Sequence, residues 1–243
     1  MELRPEISII APCYNERDNL RTLADALRES LEPLGRAYEI ILVDDGSRDG
    51  SWELLEELGR ADNRIRALQF AVNCGQSVAL WAGIQAARGD IFITLDADLQ
   101  NPPSEIPHLL EALRNADCIC GSRIAARAQG DSWLRRASAK IANAVRNRLS
   151  EETISDAGCC FRAFRRECVA NVKFFRGGHR FLPTLIKMEG YRVIEVPVKH
   201  DPRRAGQSHY GIWNRLFKSS ADLLGIRWIK TRALCYQVAE TIN

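Results

Sequence analysis

Two acids two positions apart, Asp96 and Asp98, close the apolar run DIFITLD, and Gln100 follows at the same spacing ahead of Pro102 and Pro103. Alternation along a strand turns all three side chains to one side. Carboxylates so placed suit one hard divalent cation, Mg2+ or Mn2+, which takes oxygen ligands and shares itself with substrate phosphates. The prolines would fix the chain as it leaves this spot for the next helix. A second acidic pair, Asp44 and Asp45, ends the run YEIILV just before Gly46 and Ser47. Adjacent carboxylates repel, and hydrogen bonds to a ligand's hydroxyls or base would offset that. A third loop, APCYNERDNL, brings Pro12, Tyr14 and Glu16 to the point where a strand gives way to a helix; Asn15 there is also readable as a helix cap.

Each stretch alone is an ordinary charged turn, and D-x-D is common on protein surfaces. Their meaning depends on the elements that carry them. Apolar runs recur at EISIIAP, YEIILVDDGS, RIRALQF and DIFITLD, separated by helical patterns at about 17–31, 51–60 and 76–88. Such a βαβαβαβ series predicts an α/β fold, a mostly parallel sheet flanked by helices, with ligands met at the carboxyl ends of the strands. Farther on, ADCICGS and YRVIEVPVKH read as strands, FRAFRRE as a short strand or turn, and WLRRASAKIANAVRNRL as a basic amphipathic helix. With no internal repeat and no low-complexity segment, one domain is the simplest organisation.

The net charge of +3 conceals a split. Residues 1–122 hold 11 Arg and no Lys against 21 acids, whereas residues 123–243 hold 23 basic residues against 10 acidic ones. One half suits a cation and the other suits phosphates. The basic excess lacks a helix-turn-helix, RNA-binding or zinc-finger pattern, so nucleic acid is not the expected partner. Eight cysteines without a C-x-x-C pair read as buried thiols, and His108, His179, His200 and His209 lack metal-ligand spacing. The start MELRPEISII lacks a signal-peptide pattern, and no stretch approaches the roughly 18 apolar residues of a membrane span, so a cytoplasmic location is the expectation.

Taken together, APCYNE, EIILVDDGSRDGS, NCGQSVALWAGIQAARGD and ITLDADLQNPPSEI resemble family 2 glycosyltransferases of the GT-A fold. DADLQNPP, GSR at 121–123, DAGCCFRAFRRE and RRAGQSHYG are similar to the dolichol-phosphate mannose synthase and polyprenyl-phosphate glycosyltransferase group, over roughly residues 5–215. The resemblance implies transfer of a hexose, mannose or glucose, with inversion from a GDP- or UDP-linked nucleotide sugar to a polyprenyl (dolichyl-type) phosphate. It implies Pro12, Tyr14, Glu16, Val43 and Asp45 around the base and ribose; Asp44 is added as substrate-binding by the acidic pair itself. It puts Asp96, Ala97, Asp98 and Gln100 at the diphosphate and a Mg2+ or Mn2+ ion, Asp98 being the most direct metal ligand and Asp96 its companion. Arg123 and either Arg203 or Arg204 would meet phosphates of donor or acceptor. A lipid monophosphate also gives the basic half a use, with Arg135, Arg136 and Ser138 opening a helix whose donors could bind it. Asp156 reads as an orienting group or a helix-cap acid.

The chain departs from that group in places. His209 stands where Lys is frequent, and Leu224 ahead of Arg227-Trp228 breaks the Q-x-x-R-W signature of processive members. The reading divides the domain into a nucleotide-sugar half, 1–122, an acceptor half, 123–210, and an amphipathic segment, 211–243. That last segment could lie on an anionic membrane face, pack as a closing helix, or leave anchoring to a membrane partner. Competing functions are transfer to a glycan or other non-lipid acceptor, and a non-catalytic nucleotide-sugar-binding module.

Overall fold

Alternation of apolar residues on strands builds a sheet with two buried faces. The computed structural model describes residues 4–124, 154–156, 158–201 and 212–232, the stretch 212–220 by its backbone only. Strands β1 (Ile7–Cys13), β2 (Tyr38–Asp44), β3 (Ile65–Gln69) and β4 (Ile91–Thr94) alternate with helices α1 (Arg17–Leu31), α2 (Ser51–Ala61) and α3 (Gln76–Ala86). Helix α4 (Ile106–Ala112), β5 (Cys118–Ser122), β6 (Arg162–Arg165), α5 (Leu182–Met188), β7 (Val193–Pro197) and α6 (Ile212–Thr231) complete the described strands and α-helices, with four short 3-10 turns between them. The sheet has seven strands in the order β3-β2-β1-β4-β6-β5-β7. All neighbours run parallel except β6, which is antiparallel to both β4 and β5.

Ile7, Ile9, Ala11 and Cys13 of β1 and Ile40 and Leu42 of β2 point to one face, which α1, α2 and α4 cover with Leu20, Leu23, Leu27, Leu55 and Leu109. Ile10, Ile41 and Val43 point to the other, against Ala79, Leu80 and Ile84 of α3, Leu182 and Ile186 of α5, and Leu223 and Ile226 of α6. Helix α3 lies close on β1, since a Cβ added to Gly83 would come within 2.5 Å of Ile10 Cγ2. Helix α6 therefore closes the core by its inner edge while Leu224, Trp228 and Ile229 stay exposed. No described helix is long and apolar enough to cross a membrane.

The chain winds outward from β1 to β2 and β3, then returns to place β4 on the other side of β1. That reversal opens a crevice at the carboxyl ends of β1 and β4, the usual ligand position of such sheets. The basic helix expected within WLRRASAKIANAVRNRL lies outside the described residues.

Candidate active site

The loops after β1 and β2 brace each other. Asn15, at φ 54°, donates its backbone N–H to Ser47 Oγ at 2.8 Å and accepts the Arg48 N–H on Oδ1 at 2.9 Å. It ties two loops together instead of capping its own helix. The start of α1 is held from the second loop by Asp49, which accepts the Arg17 N–H at 3.1 Å, and by Ser51 Oγ, which accepts the Glu16 N–H at 3.2 Å. Burial pushes the Asp49 carboxyl up, but hydrogen bonds from Ser51 and from backbone N–H groups outweigh it and leave its pKa lowered. Glu16 takes the Asn19 amide at 2.6 Å. A cavity of about 290 Å3 lies over these loops, lined by Tyr14, Ser47, Arg48, Phe70, Val72 and Asn73 among others. Gly46, at φ +73°, lets the two sides meet: a Cβ there would be 2.8 Å from the Asn73 backbone nitrogen.

The acids of the second pair do different things. Asp45 accepts the N–H groups of Cys74 at 2.7 Å and Gly75 at 2.9 Å, plus the Asn73 amide at 3.0 Å. It fixes the loop that leads into α3. Burial nevertheless pushes its pKa up, with the Asp44 charge adding to the rise and the Cys74 and Gly75 N–H groups opposing it. Asp44 is fully buried; its Oδ1 accepts the Ser47 N–H at 3.1 Å, and its Oδ2 has no partner among the described residues. Val43 contributes its side chain to the core beneath α3, so its backbone is what it can offer a ligand.

Strand β4 stops at Thr94, one residue short of Leu95, and the chain turns with Leu99 at φ 59°. The expected strand alternation therefore does not extend across Asp96, Asp98 and Gln100; a turn gathers them. Asp98 is 6% exposed and accepts the Gln100 N–H at 3.2 Å. Asp96 Oδ1 accepts the amide of Gln76, the first residue of α3, at 2.7 Å. Burial first, and then the Asp98 charge, push the Asp96 pKa up. Asn101 is buried behind them with an amide nitrogen that lacks a partner among the described residues. Pro103 opens a 3-10 turn that runs into α4, so the prolines hold the exit as expected.

Two acidic oxygen donors fit a hard cation that keeps most of its shell as water or phosphate oxygen. Among the described residues no set of three or more His, Cys, Asp or Glu gathers to cage an ion. Any ion here would depend on its substrate to complete its coordination.

Arg123 follows β5 into the same crevice and is 6% exposed. Its Nε and Nη2 donate to the two oxygens of Asp156 at 2.8 and 2.9 Å, and its backbone N–H donates to Asp156 Oδ2 at 3.1 Å. Burial disfavours the guanidinium charge, yet the Asp156 carboxylate holds its pKa above the usual value. Of the two roles considered for Asp156, orienting is the one the contacts support. On the other side, the Asp201 N–H donates to the Gln100 carbonyl at 2.9 Å, which ties the segment after β7 to the acidic turn. Arg135, Arg136, Ser138, Arg203 and Arg204 themselves lie outside the described residues.

The fold thus brings Pro12, Tyr14, Glu16, Asp44, Asp45, Asp96, Ala97, Asp98, Gln100 and Arg123 to one edge of the sheet. Sequence reasoning missed Gln76, Asp49 and Glu195. Gln76 is the first residue of an otherwise mostly apolar helix, facing the strand ends, and that position was the visible signal; the other two act through backbone groups more than 30 positions away.

A model of glycosyl transferase family 2 matches residues 8–172. The undecaprenyl-phosphate 4-deoxy-4-formamido-L-arabinose transferase of Edwardsiella ictaluri (strain 93-146) is 39% identical over 207 residues, 85% of this chain and 63% of that protein. Its counterpart in Proteus mirabilis (strain HI4320) is 38% identical over 220 residues, 90% of this chain and 67% of that protein. The chain therefore spans 63% and 67% of the length of these relatives. Among solved structures, a mannosyltransferase from Pyrobaculum calidifontis in complex with GDP-Man and Mn2+ superposes with TM-score 0.62 at 20% identity, covering 97% of this chain and 66% of the other. Glucosyl-3-phosphoglycerate synthase from Mycobacterium tuberculosis, with Mn2+, UDP and glucosyl-3-phosphoglycerate, gives TM-score 0.64 at 17% identity, covering 95% and 81%. The chain belongs to glycosyl transferase family 2 and has the GT-A fold.

Proposed function

We propose that this chain moves a glycosyl group from a nucleotide sugar to a polyprenyl phosphate, with inversion and with a divalent cation. The observation that carries the reading is the meeting of the Asp96–Asp98 turn with Arg123 and the Gln100–Asp201 contact at one sheet edge. The relatives' names, which specify undecaprenyl phosphate, support the acceptor.

In this reading the cavity beside Tyr14, Phe70 and Val72 takes the base, with Pro12, Glu16, Val43, Asp44 and Asp45 framing base and ribose. Asp98, with Asp96, would hold Mg2+ or Mn2+, and Ala97 and Gln100 would flank the diphosphate. When bound, the ion neutralises charge that develops on the departing diphosphate. A phosphate monoester is largely dianionic at neutral pH, its second pKa being about 6. It needs little help from a general base, so the protein contributes mainly orientation and charge. Arg123, Arg135, Arg136, Ser138 and Arg203 or Arg204 are the groups proposed to hold the phosphates.

A lipid acceptor also fits α6. Its outward Leu224 and Trp228, 61% and 63% exposed, stand among Arg227, Lys230 and Arg232, a mixture suited to the surface of an anionic bilayer, alone or beside an anchoring membrane partner. Peripheral attachment at the cytoplasmic face follows from the reading.

The test is purified protein with a polyprenyl phosphate and labelled nucleotide sugars, in Mg2+, Mn2+ or EDTA, followed by organic extraction. The panel contains mannose and glucose donors, the hexoses implied by sequence resemblance, and the 4-deoxy-4-formamido-L-arabinose donor implied by the relatives' names. Metal-dependent label in the lipid phase is expected; no label there from any donor, with label incorporated when a glycan replaces the lipid phosphate, would replace this reading with the glycan one.

A further inference from the structure

Glu195 lies on β7, the edge strand, in register with Cys120 of β5. An edge-strand carboxylate normally faces water or a cation. This one turns to the segment before Asp156 and is filled by it. Oε2 accepts both the backbone N–H and the hydroxyl of Ser155, each at 2.8 Å, and Oε1 accepts the backbone N–H of Asp156 at 3.0 Å. Ser155 Oγ is in turn 3.2 Å from Ser122 Oγ, the residue ahead of Arg123. Two successive N–H groups on one carboxylate fix the 155–156 peptide relative to the sheet. Asp156 then spends both oxygens on Arg123. The result is a guanidinium gripped along its Nε–Nη2 edge, which leaves Nη1 as the nitrogen not engaged by Asp156.

We infer that Glu195 is a positioning residue: it sets Asp156, and through Asp156 the orientation of the Arg123 guanidinium at the acceptor side of the crevice. Its effect on turnover rests on the transfer reaction proposed above, but its effect on Arg123 does not. Glu195→Gln keeps the shape of the side chain while replacing one accepting oxygen with a donor, so Ser155 and Asp156 cannot both be served. Ser155→Ala removes the hydroxyl alone and serves as the milder variant.

Three readouts on the full chain separate the possibilities. The first is the Nε–H resonance of Arg123 in 15N-labelled protein, assigned with Arg123→Lys. It is expected to exchange slowly in the wild type and faster in Glu195→Gln, with Ser155→Ala between them. The second is UMP and GMP affinity, expected to stay within about twofold because both are placed at the base cavity, at the β3 end of the sheet and away from β7, and lack the outer phosphate that Arg123 could meet. The third is transfer to polyprenyl phosphate, expected to fall by about 10–100-fold, the order lost with a buried hydrogen bond to a charged group. In an Asp156→Asn background the Glu195→Gln change is expected to add nothing further. An unchanged Arg123 resonance, a full additional loss in that background, or parallel losses of nucleotide affinity and melting temperature would overturn the inference. Absence of transfer in the wild type would sink the proposed reaction and leave the resonance test standing.

Discussion

Gln76 donates its side-chain amide to Asp96 across 2.7 Å, and the backbone N–H of its neighbour Gly75 donates to Asp45 at 2.9 Å. One short stretch at the head of α3 therefore joins the acid at the end of β2 to the acidic turn after β4. The helix is anchored at the same end by Ser77, whose Oγ accepts the Gly177 N–H at 2.9 Å and lies 2.6 Å from His179 Nδ1.

Gln76→Leu removes the donor and leaves an Asp96 oxygen without it. Loss of an outer-sphere partner typically weakens metal affinity or activity about 10–100-fold. Titrating transfer activity with Mn2+ is expected to show a right-shifted midpoint in the variant. An unshifted midpoint would mean that Gln76 has no hold on the acidic turn.

Gly83→Ala tests how α3 is seated. The new methyl would fall 2.5 Å from Ile10 Cγ2 and 3.2 Å from Val43 Cγ2, with no flexible chain end to give way. Overpacking of this kind costs about 1–3 kcal/mol. Urea unfolding is expected to show a lower midpoint with an unchanged slope, and Gly83→Ala is expected to lower activity by displacing Gln76.

Much of this arrangement was legible in the sequence. The runs EISIIAP and YEIILVDDGS gave β1 and β2, and the helical spacing of Leu20, Leu23, Leu27 and Leu31 gave α1, because local periodicity reports which face is buried. The placement of Tyr14, Asp45 and Asp98 at the carboxyl ends of strands followed from the alternation of strands and helices. The antiparallel insertion of β6 between β4 and β5 was not legible, since pairing is settled by contacts far apart in the chain. Alternation failed across Asp96–Gln100 because the strand ends at Thr94 and Leu99 takes a left-handed turn. Asn15 looked like a cap because Asn favours that position, whereas its partners, Ser47 and Arg48, lie 32 and 33 residues away.

Acid stability should depend on Glu39, at the amino end of the sheet. Burial raises its pKa, but the Arg88 N–H, Arg66 and Ser8 outweigh that and leave it lowered in the fold. Unfolded chains bind this proton near the ordinary glutamate pKa of about 4.3 and the folded chain only at lower pH. Its stabilising contribution is therefore complete above that value and drains away as pH falls toward the folded pKa. Urea melts of the wild type and Glu39→Gln, taken between about pH 6 and pH 3, are expected to converge as the pH drops. A constant gap would assign the contribution to packing instead.

In the proposed reaction the acidic turn after β4 serves glycosyl transfer to a lipid phosphate. Asp98→Ala, assayed beside the wild type with a polyprenyl phosphate and the donor panel in Mg2+ or Mn2+, tests it most directly. The expected result is metal-dependent label in the organic phase for the wild type and none for Asp98→Ala, with the variant's far-UV circular dichroism and melting transition preserved. Full transfer by the folded variant would contradict the claim.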